Sequence, residues 1–253
     1  MSANLLALDR LKMHFPITGG VMLKQAAAVK AVDDVSLFIR PGETLGLVGE
    51  SGCGNSTLGK CAGRLNSTNS GSVRCDRQDI TRAGASKLRE IRRNMQMIFQ
   101  DPAESLDPRM SVRAIVEEAF AIHKIGTRKE RYAKVATLLD RVGLPGSAID
   151  KFPFEFSGGQ RQRIGIARAI ALKPKLVVAD EPVSALDVSV QSQVLNLMLE
   201  LQRDMGLAYL FIAHDLAVVK HISDRVAVMY LGKIVELADA DAIYKNPKHA
   251  YTK

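Results

Sequence analysis

The clearest structural signal in the chain is a glycine-rich stretch that follows a short apolar run. Residues 44–57 read Thr-Leu-Gly-Leu-Val-Gly-Glu-Ser-Gly-Cys-Gly-Asn-Ser-Thr. The apolar run 44–48 has the length of a buried β-strand, and a helix-like segment opens near Ser56. A strand, a glycine-rich loop and a helix in this order are the context of a phosphate-binding loop, because loop N–H groups and the helix dipole both attract an anion. The stretch therefore predicts a phosphate-binding loop in an α/β fold.

One position of this loop departs from the phosphate-binding pattern. Gly49, Gly54 and Ser56 match G-x-x-x-x-G-K-[ST], but Asn55 stands where lysine is expected. A short neutral carboxamide neither reaches the β- and γ-phosphates nor supplies positive charge. One lost charge-assisted hydrogen bond costs about 1.5–3 kcal/mol, which is roughly one to two decades in affinity. Taken alone, the loop is also compatible with a glycine-rich turn that binds no ligand.

The rest of the chain alternates apolar strands with stretches of helical periodicity. Apolar residues at helical spacing across 111–142 predict a helical insertion. Strands alternating with helices are typical of a mostly parallel sheet. The predicted strands cover 35–39, 71–75, 95–99, 176–179, 207–212 and 225–230, and further helices cover 157–172 and 189–204.

Polar residues follow three of the predicted strands: Gln100, the pair Asp180 and Glu181, and His214. Open α/β sheets bind their ligands at the carboxyl ends of strands. An aspartate there suits Mg²⁺ held through water, and a glutamate suits polarisation of an attacking water. Each of these residues, taken singly, is equally compatible with a solvated strand end or a satisfied core residue.

A second candidate anion site precedes the helix predicted at 157–172. Ser157 and the two glycines after it offer a hydroxyl and backbone amides at a helix N-terminus, in the segment Phe156-Ser157-Gly158-Gly159-Gln160. An N-cap serine followed by glycines could equally be only a helix cap.

Taken together, these motifs resemble the ATP-binding subunit of ABC transporters. In chain order they are GESGCGNST (49–57), IFQDP (98–102), EFSGGQRQR (155–163), VVADEP (177–182), SALD (184–187) and FIAHD (211–215). The similarity runs from about Leu6 to Tyr251. Finer features resemble the oligopeptide/dipeptide importer branch, although nickel and related solute importers share much of this pattern: GESGCG, DPAESLDPRM, EPVSALDVSVQSQVLNLM, the hairpin YLGKIVE and the terminal NPKHAYT.

The resemblance implies a fold class and a domain organisation. We expect an α/β fold of the ABC-ATPase type: a P-loop NTPase core with a mostly parallel sheet, an antiparallel β subdomain and an inserted helical subdomain. Residues 1–253 would form one ABC ATP-binding domain. Its core and antiparallel subdomain would comprise about 1–100 and 174–253, and its helical subdomain, which carries the signature, about 101–173.

The resemblance also implies roles for the candidate residues toward ATP and Mg²⁺. Glu181 would be the general base, His214 the γ-phosphate sensor, and Gln100 the link between Mg²⁺, water and the transmembrane partner. Ser56, Asp180 and Gln100 would contribute to the Mg²⁺ site. The residues around the ATP phosphates would be Gly49, Glu50, Ser51, Gly52, Cys53, Gly54, Asn55, Ser56 and Thr57.

Two further roles concern a partner subunit and the adenine base. Residues of the signature would close over ATP held by the opposite subunit, with Asp187 at the dimer seam: Ser157, Gly158, Gly159 and Gln160. Phe15 is the candidate for stacking on adenine, and its alternative is a core aromatic. Related importer subunits commonly continue past a segment like HAYT into a longer tail, whereas this sequence ends at Lys253.

Three functions remain open from the sequence. The leading one is a peripheral ATPase subunit that pairs with a like chain and drives import of a solute, expected to be a peptide, with its own ATP site weakened by Asn55. Its partners would be membrane permease subunits and, indirectly, an extracytoplasmic solute-binding protein. The alternative is a regulatory subunit that supplies only its signature motif to a partner ATPase. A soluble ATPase acting on DNA or ribosomes is disfavoured, because 253 residues leave no room for the long insertion or tandem units of such chains.

Composition agrees with a globular protein at a membrane surface. Of the residues, 47% are apolar and the net charge is +8, which excludes a disordered or disulfide-scaffold class. No apolar run approaches the roughly 18–20 residues of a membrane span, and residues 1–10 show no export signal. These features predict a cytoplasmic chain, and the resemblance implies a peripheral position at the cytoplasmic face of the inner membrane. Basic residues in 160–175 and 109–134 suit phosphate and membrane-proximal surfaces, so no nucleic-acid partner is expected.

Overall fold

The computed structural model describes residues 4–19 and 24–253. Within them, no helix is both long and apolar enough to cross a membrane. The elements in chain order are β1 (Leu6–Gly19), β2 (Lys24–Ile39), β3 (Thr44–Val48), α1 (Asn55–Ala62), β4 (Ser70–Cys75), β5 (Gln78–Asp79), α2 (Ala85–Ile91), β6 (Met95–Ile98), α3 (Pro102–Ser105), α4 (Val112–Ile122), α5 (Arg128–Arg141), two 3₁₀ turns (Gly146–Ala148 and Pro153–Glu155), α6 (Gly158–Ile170), β7 (Leu176–Asp180), α7 (Val188–Met205), β8 (Ala208–Ala213), α8 (Leu216–Ile222), β9 (Arg225–Tyr230), β10 (Lys233–Asp239) and α9 (Ala240–Lys245).

The backbone divides into two compact units. The first contains Met1–Arg92 and Ala208–Lys253, and the second contains Arg93–Leu207. The subdomain boundaries expected from the sequence, near residues 100 and 174, remain a prediction.

Two sheets form the first unit. One is antiparallel, with strand order β2-β1-β4-β5, and the other contains β10-β9-β3-β8. In the second sheet β3 runs parallel to both β8 and β9, and only β10 pairs in the antiparallel sense. This arrangement contains the antiparallel β subdomain and the mostly parallel core that the sequence predicted.

Strand β3 lies in the centre of its sheet, and all five of its residues are buried. A strand with neighbours on both edges has no solvated face when helices cover the sheet, which explains its uninterrupted apolar sequence. Val48, its last residue, is in register with Ala213 of β8 and Val228 of β9. The glycine-rich loop after β3 therefore starts from a fully buried central strand.

Arg225 forms a buried ion pair and also contacts the antiparallel sheet. Arg225, the first residue of β9, places its Nη1 atom 2.9 Å from Oε1 of Glu43. Its guanidinium also lies 4.4 Å from the centre of the Phe38 ring, at the end of β2. A desolvated arginine needs both a charge partner and a polarisable surface, and these two residues supply them.

The second unit pairs β6 with β7 in parallel and packs helices around α6. The helical insertion predicted at 111–142 contains two helices, α4 and α5. The division has a local cause: Gly126 has a φ of 70°, and Thr127 and Glu130 form a capping box that starts α5.

Strand β1 and helix α2 are among the elements of the first unit that were not predicted. Strand β1 carries several register shifts against β2 and β4, and Arg10 within it has a φ of 45°. These bulges interrupt the alternation of apolar and polar residues by which a strand is recognised. Helix α2 has only one buried residue, Ile91, so it lacks a clear apolar face.

Candidate functional site

The loop between β3 and α1 has the backbone shape of a phosphate-binding loop. Gly52 and Gly54 have φ values of 83° and 111°, which only glycine adopts without strain. The Cys53 N–H donates to the carbonyl of Glu50 at 3.1 Å and closes a turn. Gly54 is the N-cap of α1 and has no side chain that could satisfy the first N–H groups of the helix. The loop therefore leads into an uncapped helix start, as anion binding requires.

Close packing fixes this loop from the outside. A Cβ atom at Gly49 would lie 2.2 Å from the carbonyl oxygen of Met229, and one at Gly54 would lie 1.9 Å from the carbonyl oxygen of Ala31. The Gly232 N–H donates to the carbonyl of Cys53 at 2.9 Å. Strands β2 and β9 thus leave no room for a side chain at two of the three loop glycines.

Asn55 is the first residue of α1, and its amide turns back onto the loop. Its Nδ2 atom donates to the carbonyl of Gly49 at 3.4 Å. Its Oδ1 atom is buried and has no hydrogen-bond partner among the residues that the structure describes. The side chain therefore carries no positive charge at the position where a phosphate-binding loop has its lysine.

The loop accordingly fits the phosphates of ATP through its backbone but not through position 55. Ser56 follows at the start of α1 and offers the hydroxyl that suits Mg²⁺. In the described part of the chain no three His, Cys, Asp or Glu residues cluster as a metal site. Mg²⁺ commonly binds through few protein ligands and the substrate phosphates, where it neutralises developing charge.

His214 lies at the same sheet edge as the loop. Val48 and Ala213 are in register on adjacent parallel strands, so Gly49 and His214 are the first residues beyond two neighbouring strand ends. The next residue, Asp215, accepts the Ala217 N–H at 2.7 Å and begins α8. The first unit thus brings together the predicted phosphate loop and the predicted γ-phosphate sensor.

The second unit brings together Gln100 and Glu181. Ile98 and Ala179 are in register on β6 and β7, and Gln100 Nε2 donates to Glu181 Oε2 at 3.1 Å. Asp180 is buried at the end of β7. Glu181 has a φ of 46°, a left-handed conformation that costs a non-glycine residue about 1 kcal/mol or more. This strain is typical of functional sites, and the residue types around position 181 did not indicate it.

The signature residues lie at the start of α6. Ser157 and Gln160 form a reciprocal capping box: the Gln160 N–H donates to Ser157 Oγ, and the Ser157 N–H donates to Gln160 Oε1. A Cβ atom at Gly159 would lie 2.4 Å from a methyl carbon of Val190 on α7. Asp187 is the N-cap residue of α7. Both helix starts of the predicted dimer surface therefore lie within one compact unit.

Phe15 lies on β1, opposite Val29 of β2. Its side chain is 41% exposed, so it is not a core aromatic. Its proposed stacking on adenine remains a prediction.

Several residues that shape the loop carried no sequence signal. Ala31 and Met229 act through backbone oxygens, which any residue type supplies. Tyr251 accepts the Glu50 N–H at 3.1 Å, although the two residues are far apart in the chain. Gly232, within the hairpin YLGKIVE, and Tyr251, within the terminal NPKHAYT, belonged to segments that the sequence singled out, but neither segment indicated a contact with the loop.

The three cysteines are not part of a metal or disulfide site in the described residues, and all three thiols are buried. Burial raises the pKa of Cys61 to about 11, so its thiol stays protonated at neutral pH.

Together, the strand–loop–helix, the antiparallel sheet and the helical region define a nucleotide-binding cassette. A family model described as "ABC transporter" matches residues 32–184. The chain belongs to this family, among its ATP-binding proteins.

Individual relatives carry related names. The chain is 54% identical to the oligopeptide transport ATP-binding protein AppF of Bacillus subtilis over 251 residues. The aligned region covers 99% of this chain and 76% of AppF. It is 55% identical to OppF of the same organism, with coverage of 100% and 81%. It is 50% identical to the glutathione import ATP-binding protein GsiA of Pectobacterium atrosepticum, covering 98% of this chain and 40% of that one.

A solved structure agrees with the fold class. The ATP-binding cassette MJ0796, described as a dimer in a post-hydrolysis state bound to ADP and Pi, superposes with a TM-score of 0.83 at 26% identity. The match covers 93% of this chain and 98% of that one. The predicted ABC cassette fold is therefore confirmed.

Proposed function

We propose that this chain is the ATP-binding subunit of an importer for peptides, acting at the cytoplasmic face of the membrane. Relatives named for oligopeptide transport and for glutathione import support this substrate class, because glutathione is itself a small peptide. Permease subunits would form the pore, and an extracytoplasmic binding protein would deliver the solute.

In this proposal two like subunits enclose ATP between the loop of one and the signature of the other. Glu181 accepts a proton from the attacking water, and His214 contacts the γ-phosphate. Gln100 holds the Glu181 carboxylate before substrate arrives, as their 3.1 Å hydrogen bond suggests. The dimer described for MJ0796 supports the pairing of subunits.

The ATP site built on this chain's own loop is weakened by Asn55. The observation that carries this proposal is the position of the asparagine amide, whose donor is used by Gly49 and whose buried acceptor has no partner among the described residues. A phosphate bound at this loop therefore finds a neutral amide instead of an ammonium at position 55. Replacement of Asn55 by lysine tests the proposal, because it changes the charge and reach of one side chain and leaves the backbone of the loop in place.

The same observation favours a second candidate function, a regulatory subunit that lends only its signature. Its loop is impaired at one side chain, whereas the capping box that shapes the signature is complete. A heterodimer in which this chain serves the partner's ATP site would need Ser157 and not Glu181.

Mixing with a like subunit that has lysine in its loop distinguishes the two functions. We expect Ser157→Arg to lower ATPase activity of the mixture at least tenfold under both, because the long side chain blocks the helix start that faces the partner's phosphates. Glu181→Gln lowers the ATPase activity of the mixture, relative to the mixture with the unsubstituted chain, if this chain's own site turns over. It leaves that activity unchanged if the chain is regulatory. Unchanged activity with Ser157→Arg would contradict both functions.

Partner identity is tested by purification from gently solubilised cells. We expect the tagged chain to retain integral membrane proteins after nuclease treatment, because a subunit without a described spanning helix must bind chains that form the pore. The matched control is a tagged chain in which the charge of Lys87 is reversed. Lys87 lies on the short helix α2 of the first unit. Recovery of nucleic acid or ribosomes in place of membrane proteins would contradict the import proposal.

A further inference from the structure

The C-terminal segment 248–252 is held against the body of the first unit by one carboxylate. Glu236, on β10, accepts the Lys248 N–H at 2.8 Å and the His249 N–H at 3.0 Å. The hydrogen bond from the His249 N–H, with that from Lys248, lowers the pKa of Glu236 despite the opposing effect of burial. The carboxylate is thus ionised at neutral pH and fixes both backbone groups. Within the segment, the Thr252 N–H donates to the His249 carbonyl at 3.0 Å and closes a turn.

This turn presents Tyr251 to the phosphate-binding loop. The Tyr251 N–H donates to Nδ1 of His249 at 3.2 Å, and its ring lies 4.3 Å from the ring of Tyr230, between centres. Its hydroxyl oxygen accepts the Glu50 N–H at 3.1 Å. The aromatic contact restricts the ring, so the hydroxyl is directed at one backbone group of the loop.

The accepted N–H belongs to the turn that precedes Asn55. The turn begins at Glu50 and ends at Cys53, whose N–H bonds the Glu50 carbonyl. Tyr251 holds its first residue, and the Gly232 N–H holds the carbonyl of its last at 2.9 Å. These two contacts engage the Glu50 N–H and the Cys53 carbonyl, so neither of them uses the N–H groups at the start of α1.

We propose that Tyr251 is a positioning residue for the phosphate-binding loop, and that segment 248–252 is a brace that keeps the turn 50–53 in its ligand-ready shape. This inference rests on the proposed function, since it assumes that the loop binds nucleotide. The Tyr251 contact should affect nucleotide binding more in this chain than in one with a loop lysine, because here the backbone must supply the contacts to phosphate.

The proposal is tested first without nucleotide, by amide hydrogen exchange of the intact chain. Tyr251→Phe keeps the ring on Tyr230 and removes only the hydroxyl acceptor. We expect exchange of the Glu50 amide and its neighbours in the loop to accelerate roughly two- to tenfold, the range of one net hydrogen bond. Tyr244→Phe is the matched control, because the Tyr244 hydroxyl donates to the Leu216 carbonyl elsewhere in the same unit.

A double variant tests whether the brace acts through Glu236. Glu236→Ala removes the acceptor of the Lys248 and His249 amides, so it should accelerate loop exchange by itself. Adding Tyr251→Phe to Glu236→Ala should then have less than its effect in the wild-type chain, since both changes release one contact. Full additivity of the two effects would overturn the brace.

A second readout separates positioning from general stability. In the Asn55→Lys background, which provides a measurable affinity, Tyr251→Phe should raise the Kd for ATP roughly two- to tenfold. Its melting temperature should fall no further than that of Tyr244→Phe, which should leave the Kd unchanged. Unchanged loop exchange overturns the brace, and faster exchange with an unchanged Kd overturns the positioning role. If neither the wild-type chain nor Asn55→Lys binds ATP, the proposed function fails, while hydrogen exchange still decides whether the brace exists.

Discussion

Asn55→Lys raises the affinity of the chain for ATP by about 10- to 100-fold, the value of one charge-assisted hydrogen bond. Turnover by a dimer that uses this loop rises by about 10²- to 10³-fold, because the ammonium meets charge that develops on the transferred phosphoryl group. The change also removes a buried acceptor without a partner in the described residues, Asn55 Oδ1. Equilibrium binding of ATP and steady-state hydrolysis measure the two effects.

Asn55→Met is the matched control for this result. Methionine has the unbranched reach of lysine and also removes the amide, but it carries no charge. We expect its affinity and turnover to remain near those of the wild-type chain. If methionine restores activity as well as lysine does, the amide hinders the site and the missing charge is not the cause. Equal values for lysine and asparagine would show that position 55 does not limit activity.

Gly54→Ala lowers the free energy of unfolding by about 2–5 kcal/mol, since it combines backbone strain with overpacking. The φ of 111° is unfavourable for alanine, and its Cβ would lie 1.9 Å from the Ala31 carbonyl oxygen. If β2 moves to relieve the collision, the loop loses its outer support and nucleotide affinity falls. Urea unfolding and ATP binding, the latter in the Asn55→Lys background, measure the two consequences.

Gly52→Ala, in the same loop, separates the two causes. Gly52 has a φ of 83°, but no atom lies within 4 Å of the position of its Cβ. Alanine there should cost only the strain of a left-handed backbone, about 1–2 kcal/mol. Equal losses for the two substitutions would contradict the close approach of β2 to Gly54.

Local sequence patterns predicted the elements that are regular and fully buried. The strand boundaries at 44–48 and 225–230 coincide with β3 and β9, because strands buried on both faces have continuous apolar runs. The boundary between α4 and α5 was not predicted, since it depends on one glycine and one capping box. Strand β1 escaped prediction because bulges change which of its residues face inward.

The sequence singled out the residues of the candidate site but indicated only part of their arrangement. Strand ends indicated Gln100, Glu181 and His214, and the pairing of parallel strands explains why each lies at a carboxyl edge. The sequence contained no sign of the hydrogen bond between Gln100 and Glu181, because a side-chain rotamer follows from its surroundings. It contained no sign of the left-handed φ of Glu181 either.

By itself, the sequence determined the family, the order of the motifs and the substitution at Asn55, since residue identity and spacing are local properties of the chain. Only the tertiary structure decided what surrounds the phosphate-binding loop. The contact of Gly54 with the Ala31 carbonyl and the hydrogen bond from the Glu50 N–H to the Tyr251 hydroxyl, 201 positions away, each involve at least one backbone group, which every residue possesses. Such groups leave no mark in a sequence, and only folding brings them within bonding distance.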